Sequence, residues 1–212
     1  MKKVLVFGAT GFLGSSCVNE LNGQDWEVIS FGRDLDKLIE IDQISAVVWA
    51  QGANHTGSIM ETKSETWMEL WDANVGFIVK GLQILLKGNI LVNGARLVIL
   101  GSVWQNVARS NKTAYITSKS ALTGLVRGLA VEFGSLGFSI NGVLPGVVES
   151  EMTRKNLSQD QIEKIVTGTP GHLLITAEQV AKVVTFLLSK DSQGINGQSI
   201  VVDNGWTISR DV

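Results

Sequence analysis

The fold of this chain is decided by the stretch MKKVLVFGATGFLG, residues 1–14. Its apolar run KVLVF is short and continuous, which predicts a buried strand. The run leads directly into Gly8, Gly11 and Gly14, a spacing that allows a tight turn from a strand into a helix. The N-terminus of such a helix offers free N–H groups and a positive dipole end to an anion. The stretch therefore predicts a dinucleotide-binding turn at the first strand of an α/β domain.

The remainder of the chain alternates short apolar runs with longer helical patterns. Further strands are predicted at WEVISF, AVVWA, ARLVIL, FSINGVL and QSIVVD. Helices are predicted at about residues 12–22, 64–87 and 113–133, and over the segments DLDKLIEIDQI and TAEQVAKVVTFLLSK. Continuous apolar strands separated by helices form a parallel sheet buried on both faces. We therefore expect residues 1–212 to form a single doubly wound, Rossmann-like α/β domain.

The composition argues against several classes of function. With 18% charged residues and a formal net charge of −2, nothing in the sequence resembles a basic footprint for nucleic acid. Cys17 is the only cysteine and there are two histidines, so neither an intrachain disulfide nor a Cys/His zinc cluster is expected. The apolar run that ends at Phe7 is too short for a signal peptide, and no run approaches the ~20 residues of a membrane span. We expect a cytoplasmic protein with no metal, nucleic-acid or membrane partner.

Motifs along nearly the whole chain resemble the short-chain dehydrogenase/reductase family. The segment GATGFLG stands at the glycine motif, WAQG at the family's NNAG, and DANVGF at its helix asparagine. The segment INGVLPGVVES resembles NxxxPGxxxT, and GINGQSIVVDNGW resembles the closing TGQ…VDGG. Tyr115, the only tyrosine, begins YITSK at the family's YxxxK motif, with Lys119 one helical turn later and Ser102 thirteen residues earlier.

The resemblance implies an oxidoreductase that transfers a hydride between a nicotinamide dinucleotide and a small carbonyl or alcohol substrate. Tyr115 is then the general acid/base, and Lys119 lowers its pKa and binds the nicotinamide ribose. Ser102 would bind the substrate oxygen, and Asn74 would hold a water that links Lys119 to solvent. A free phenol titrates near pH ~10, so a nearby positive charge is needed to make it a useful proton carrier.

Two other functions stay open from the sequence. The GxxGxxG spacing differs from the GxxxGxG of the usual members, and favours a nucleotide-sugar or glycan-pathway reductase or epimerase. A shortened adenine side, by contrast, suggests a non-catalytic dinucleotide-binding protein. Retention of all four polar groups argues against the non-catalytic alternative.

Cofactor contacts are implied wherever the family motifs match. The residues are Gly8, Thr10, Gly11, Phe12, Leu13, Arg33, Ala50, Gln51, Gly52, Tyr115, Lys119, Pro145, Gly146, Val148 and Ser150. Arg33 follows the second strand, where an acidic residue would bind the ribose 2′-hydroxyl of NAD. An arginine there favours the 2′-phosphate of NADP, with NAD left possible.

The largest departure from the family is a deletion between the second and third strands. Only residues 32–45 lie there, where the family fits a helix, a strand and another helix. The missing strand is the usual third one, at the edge of the sheet. We therefore predict six strands in the order 2-1-3-4-5-6, with Asp34 as a candidate for the acidic residue that contacts adenine.

On the substrate side, Trp104 follows Ser102 and is expected either to border the substrate or to pack under its own loop. Residues 149–174 resemble the family's mobile lid. His55 is interpreted as a surface loop histidine, with substrate contact as the alternative. Helix faces that carry Trp67, Trp71, Asn74 and Ile78, and Gly124 and Gly128, match those through which the family forms homodimers or homotetramers; the alternative is an ordinary core face.

Overall fold

The computed structural model describes residues 1–209. It contains one sheet of six parallel strands in the order β2-β1-β3-β4-β5-β6. The strands are β1 (Lys2–Phe7), β2 (Trp26–Phe31), β3 (Ile44–Trp49), β4 (Leu91–Leu100), β5 (Ser139–Pro145) and β6 (Ser199–Val202). The predicted Rossmann-like fold, its strand order and the loss of the edge strand are confirmed.

Seven α-helices cover the two faces of this sheet in the described residues. They are α1 (Phe12–Asn22), α2 (Ser64–Trp71), α3 (Phe77–Lys87), α4 (Thr113–Glu132), α5 (Glu151–Asn156), α6 (Gln159–Thr167) and α7 (Ala177–Leu188). Successive residues of each strand point to opposite faces, so β1 sends Leu5 into one apolar core and Val4 into the other. One core lies under α3 and α4, and the second lies under α1 and α7. Burial on both faces explains why the strands are apolar throughout.

The connection between β2 and β3 is shorter and less regular than the helix predicted there. A 3₁₀-helix spans Leu35–Glu40, and only Leu38 within it is fully buried. Twelve residues, 32–43, must carry the chain from the carboxyl end of β2 back to the start of β3. A 3₁₀-helix rises about 2.0 Å per residue, against 1.5 Å for an α-helix, so it covers this distance with fewer residues.

The long helix predicted over 64–87 is interrupted by a π-turn, Asp72–Gly76. A π-turn adds a residue to one helical turn, and so rotates the C-terminal part of the helix relative to its N-terminal part. Asn74 and Ile78 are therefore buried, whereas Trp71 is 44% exposed. The prediction that these residues share one face with Trp67 is wrong, because it assumed a regular helix of 3.6 residues per turn.

Candidate active site

The glycine turn joins β1 to α1 and closes against the loop after β3. Gly8 has a left-handed backbone (φ +72°), and a Cβ there would lie 2.6 Å from the backbone nitrogen of Gln51. A Cβ at Gly14 would overlap the Gly8 carbonyl. Gly11 caps α1, and its N–H donates to the Gly8 carbonyl at 2.9 Å. Side chains at Gly8 and Gly14 would therefore force the turn and the helix apart.

The residues around this turn fit a dinucleotide. The first turn of α1 carries no acidic side chain, so no carboxylate competes with an anion for its free N–H groups. Thr10 and Phe12 are exposed beside it. Both polar atoms of the Gln51 amide are buried and have no hydrogen-bond partner among residues 1–209. Such a group is costly unless something polar satisfies it, and a bound nucleotide offers suitable atoms.

Asn74 is buried in the π-turn and held by three hydrogen bonds. Its side chain accepts from the Ala53 N–H at 2.8 Å, and donates to the Ala53 carbonyl at 3.0 Å and to the Ser118 hydroxyl at 2.9 Å. A Cβ on Gly52 would lie 2.8 Å from Asn74 Oδ1 and 3.2 Å from Lys119 Nζ. The lack of a side chain at Gly52 therefore lets the amide and the ammonium converge on one point.

Lys119 extends from α4 to the carboxyl end of β4. Its Nζ donates to the Leu100 carbonyl at 3.3 Å and lies 6.0 Å from the centroid of the Tyr115 ring. Burial lowers the pKa of the Lys119 ammonium to about 8. The structure thus brings the predicted Asn74, Lys119 and Tyr115 to one end of the sheet.

The pKa of the Tyr115 phenol is raised rather than lowered. Burial is the main cause, and a hydrogen bond with Ser102 opposes it in part. Desolvation disfavours the charged phenolate more than the hydrogen bond with Ser102 favours it. The phenol therefore carries its proton at neutral pH, the form that a proton donor needs.

Ser102 is held by Gln105, a residue that the motifs of the sequence did not identify. Ser102 caps the 3₁₀-helix Val103–Gln105 in a reciprocal capping box, in which the Ser102 N–H donates to Gln105 Oε1 at 3.0 Å. Gln105 Nε2 donates to the Thr123 hydroxyl on α4 at 3.0 Å. This amide links the serine to the helix that carries Tyr115. The pattern SxxQ, typical of a capping box, was a signal that could have identified it.

Lys112 is a second buried lysine beside Tyr115 that sequence reasoning did not single out. Its Nζ donates to Asn54 Oδ1 at 2.8 Å and to the His55 carbonyl at 2.9 Å, and lies 5.5 Å from the centroid of the Tyr115 ring. These bonds attach the start of α4 to the loop after β3. The His55 ring pairs instead with Thr62 Oγ1 at 3.2 Å, within its own loop.

Four predicted cofactor contacts lie at the carboxyl end of β5 and just after it: Pro145, Gly146, Val148 and Ser150. Pro145 ends β5, and a Cβ on Gly146 would lie 2.7 Å from Asp203 Cβ. Val148 forms a β-bridge with Ile175, and Ser150 caps α5 through the Thr153 N–H at 3.0 Å. The segment is therefore anchored at its start before it continues into α5 and α6.

A cavity of about 450 Å³ opens between the segment 104–109, α6 and Trp206, which follows β6. Trp104 lines it and packs edge-to-face on Trp206, with ring centroids 5.7 Å apart. Trp104 thus borders the cavity and packs against a residue that follows β6, outside its own loop. The predicted lid, residues 149–174, contains α5 and α6 and supplies one wall.

The two residues predicted to contact the adenosine part of the cofactor, Arg33 and Asp34, follow β2 at the edge of the sheet. Arg33 is exposed just after β2, and a Cβ added at Gly32 would meet no atom within 4 Å. Asp34 caps the following 3₁₀-helix and lies 3.9 Å from Lys37 Nζ, so its carboxylate is already engaged. The Arg33 side chain is therefore exposed, whereas the side chains of Asn74 and Lys119 are buried.

The fold and this cluster define an NAD(P)-dependent oxidoreductase. A sequence model described as enoyl-(acyl carrier protein) reductase matches residues 35–207. The chain belongs to the short-chain dehydrogenase/reductase family. The glycine turn precedes the matched residues, so the family match does not depend on the motif that identifies the cofactor turn.

Curated relatives are reductases and dehydrogenases. The chain is 28% identical to the 3-oxoacyl-[acyl-carrier-protein] reductase of Escherichia coli over 78% of this chain and 68% of that protein. It is 31% identical to the 2-(R)-hydroxypropyl-CoM dehydrogenase of Xanthobacter autotrophicus over 74% of this chain and 63% of that protein. The chain is therefore an enzyme of this family.

Solved structures share the fold. A short-chain dehydrogenase from Francisella tularensis superposes with a TM-score of 0.87 at 24% identity, covering 99% of this chain and 100% of that one. A 4-hydroxyisoleucine dehydrogenase complexed with NADH has a TM-score of 0.85 at 20% identity, covering 99% and 100%. A Beutenbergia cavernae structure with bound NADP has a TM-score of 0.88 at 22% identity, covering 98% and 97%.

In residues 1–209 no helix is long and apolar enough to cross a membrane, and no group of three or more His, Cys, Asp or Glu side chains could hold a metal ion. Cys17 is buried in α1, and burial raises the pKa of its thiol to about 12. A thiol with this pKa is a poor nucleophile.

Proposed function

We propose that this enzyme reduces a small carbonyl compound to an alcohol with NADPH, with Tyr115 as the proton donor. The observation that carries the proposal is the convergence of Tyr115, Lys119 and Asn74 beside the Ser102 hydroxyl. A bound nicotinamide supplies the hydride. The chain supplies the proton and the positions of the reacting groups.

Each polar group has a separate task in this proposal. Tyr115 Oη donates its proton to the substrate oxygen, which Ser102 orients by a hydrogen bond. Lys119 binds the ribose and replaces the proton of Tyr115, and Asn74 holds the relay that connects Lys119 to solvent. The pKa values support this direction, because the raised pKa of Tyr115 keeps a proton available and the lowered pKa of Lys119 eases proton release.

The cofactor lies, in this proposal, from the glycine turn to Tyr115. Gly8, Thr10, Gly11, Phe12 and Leu13 hold the pyrophosphate. The loop after β3, Ala50 to Gly52, and the segment with Pro145, Gly146, Val148 and Ser150 border the ribose and nicotinamide. Arg33 selects the 2′-phosphate of NADP, since Gly32 and Arg33, and no acidic residue, stand directly at the end of β2 where a carboxylate would bind a free 2′-hydroxyl.

The direct test is a spectrophotometric assay of NADPH and NADH oxidation against ketones, oxoacyl thioesters and nucleotide sugars. We expect ketones or oxoacyl thioesters to be reduced with NADPH in preference to NADH. Turnover of nucleotide sugars alone would replace the proposal with the glycan-pathway alternative. Failure of the chain to bind either cofactor in a fluorescence titration would remove the proposed chemistry altogether.

The active form in this proposal is a homo-oligomer in the cytoplasm. Apolar side chains are exposed on α2 and just after or within the last turns of α4: Met68, Trp71, Val131 and Leu136. A Cβ added at Gly124 or Gly128 on α4 would meet no atom within 4 Å, so a second helix has room to approach. Light scattering should give a dimer or tetramer, and Val131→Glu should shift it toward the monomer.

A further inference from the structure

The cavity lined by Trp104, two residues after Ser102 in the chain, combines apolar walls with positive charge. Its volume of about 450 Å³ lies within the ~300–1,000 Å³ of small-molecule sites. Apolar side chains form most of the lining, and the paired rings of Trp104 and Trp206 form one wall. The apolar lining residues are Val107, Ala108, Val147, Leu157 and Ile165. A substrate in this cavity therefore contacts mostly hydrocarbon and aromatic surface.

Two cations, Arg109 and Lys164, stand on different walls of this cavity. Arg109 belongs to the segment between Gln105 and α4, and Lys164 belongs to α6. No acidic side chain lines the cavity, and in residues 1–209 no carboxylate lies within 4 Å of either cation. Asp160, one turn before Lys164 on the same helix, does not approach it within that distance.

Arg109 and Lys164 differ from the other unpaired cations of the surface in their position, because both line a mostly apolar cavity. Arg154 forms a bidentate pair with Glu149, and Lys3 pairs with Asp42. The nearby Lys112 is already bonded to Asn54 and the His55 carbonyl. Unpaired charges beside low-dielectric walls attract an anion more strongly than the same charges in open water.

We propose that the natural substrate is a carbonyl compound that also carries a carboxylate or phosphate, bound by Arg109 and Lys164. The guanidinium suits the two oxygens of an oxyanion, and the ammonium contributes a second positive charge from the facing wall. Trp104 and Trp206 contact the apolar part of the substrate. This inference rests on the proposed function, because it takes the reacting carbonyl to lie at Ser102 and Tyr115.

Matched pairs of ligands test the proposal in the complex of the full chain with NADP⁺, in which no reduction occurs. The carboxylate pairs are acetoacetate with acetoacetamide and levulinate with levulinamide, and the phosphate pair is dihydroxyacetone phosphate with dihydroxyacetone. Calorimetry should show at least one anion bound ~10-fold or more tightly than its neutral partner. The Arg109→Gln, Lys164→Gln double variant should reduce that ratio to about 1.

The control is the Lys87→Gln, Lys182→Gln double variant, which changes the net charge equally at exposed helix positions outside the cavity. It should keep the wild-type ratio. The proposal is overturned if no pair shows a preference for the anion, or if the cavity double variant keeps it. The carboxylate and phosphate pairs show which oxyanion is preferred.

Failure of this inference can be distinguished from failure of the proposed function. Retained turnover in Tyr115→Phe would contradict the proposed chemistry but leave these binding ratios intact.

Discussion

The two ends of the proposed cofactor site are built in different ways. At the tyrosine end, Asn74 and Lys119 are buried and hydrogen-bonded to separate elements of the fold. At the adenine end, Arg33 is exposed after an edge strand and is followed by a 3₁₀-helix of six residues. The tyrosine end is embedded in the middle of the sheet, and the adenine end lies at its margin.

This difference has a physical reason. Proton transfer requires atoms held within hydrogen-bond reach, so small displacements reduce the rate steeply. Contacts with the adenosine part of the cofactor contribute binding free energy. A shorter segment there makes fewer contacts, and binding persists as long as some of them remain. An edge strand is also the one whose loss removes a single ladder of hydrogen bonds. A deletion beside β2 therefore leaves the tyrosine end unchanged.

The largest expected effect is that of Tyr115→Phe. Removal of the phenol hydroxyl removes the proposed proton donor and should lower kcat by ~10³-fold or more, consistent with the size of general acid catalysis. Cofactor affinity should change by less than ~3-fold. Steady-state kinetics and a fluorescence titration of NADPH measure the two quantities. A variant that turns over at the wild-type rate would contradict the role given to Tyr115.

A smaller loss is expected from Gln105→Leu, because Gln105 only positions Ser102. Leucine cannot form the capping box or the bond to Thr123, so Ser102 should lose its fixed orientation and kcat should fall ~10-fold. Gln105→Glu keeps an acceptor for the Ser102 N–H and should recover part of this rate. A KM change with unaltered kcat would assign Gln105 to substrate binding instead.

At the adenine end, Arg33→Ala should weaken NADPH binding ~10-fold and leave NADH binding unchanged, since only the 2′-phosphate is missing from NADH. kcat with saturating NADPH should stay within ~2-fold of the wild type. Lys37→Ala is a matched control, as this lysine is paired with Asp34. Equal losses for both cofactors would remove the preference for NADP.

The smallest effect concerns the pH dependence of stability. The pKa of Lys119 is about 8 in the folded chain against an ordinary 10.5, so between these values the unfolded chain binds the additional proton. The free energy of unfolding of the wild type, relative to Lys119→Met, should therefore rise with pH from about 8 to 10.5, by at most about 1.4 kcal/mol per pH unit. Urea denaturation at several pH values measures it, and a flat difference would show that Lys119 titrates normally.

Much of the fold could be predicted because its signals are local. Each strand is an apolar run, and the glycine turn is indicated by three glycines at a fixed spacing. The strand order came from the resemblance together with the count of residues between β2 and β3. The helix predicted after β2 was wrong, since apolar spacing cannot show how far a connection must reach.

The sequence names the residues of the candidate site, but it does not name the residues that hold them in place. Tyr115, Lys119, Ser102 and Asn74 stand at motif positions, and the structure brings them together at one end of the sheet. Gln105 and Lys112 act through partners on other elements, Thr123 and Asn54, and no pattern in the sequence pairs these residues. The π-turn that buries Asn74 was also missed, because one additional residue in a helix leaves the apolar periodicity almost unchanged.

The sequence by itself determined the parallel sheet, the turn for a dinucleotide and the residues available for proton transfer, because each depends on residue type and short spacing. Only the tertiary structure decided which groups are desolvated and which are paired. It gives Tyr115 a raised pKa and Lys119 a lowered one, and it places two unpaired cations at an apolar cavity. Burial and pairing are sums over neighbours that lie far apart in the chain, and they exist only once the chain has folded.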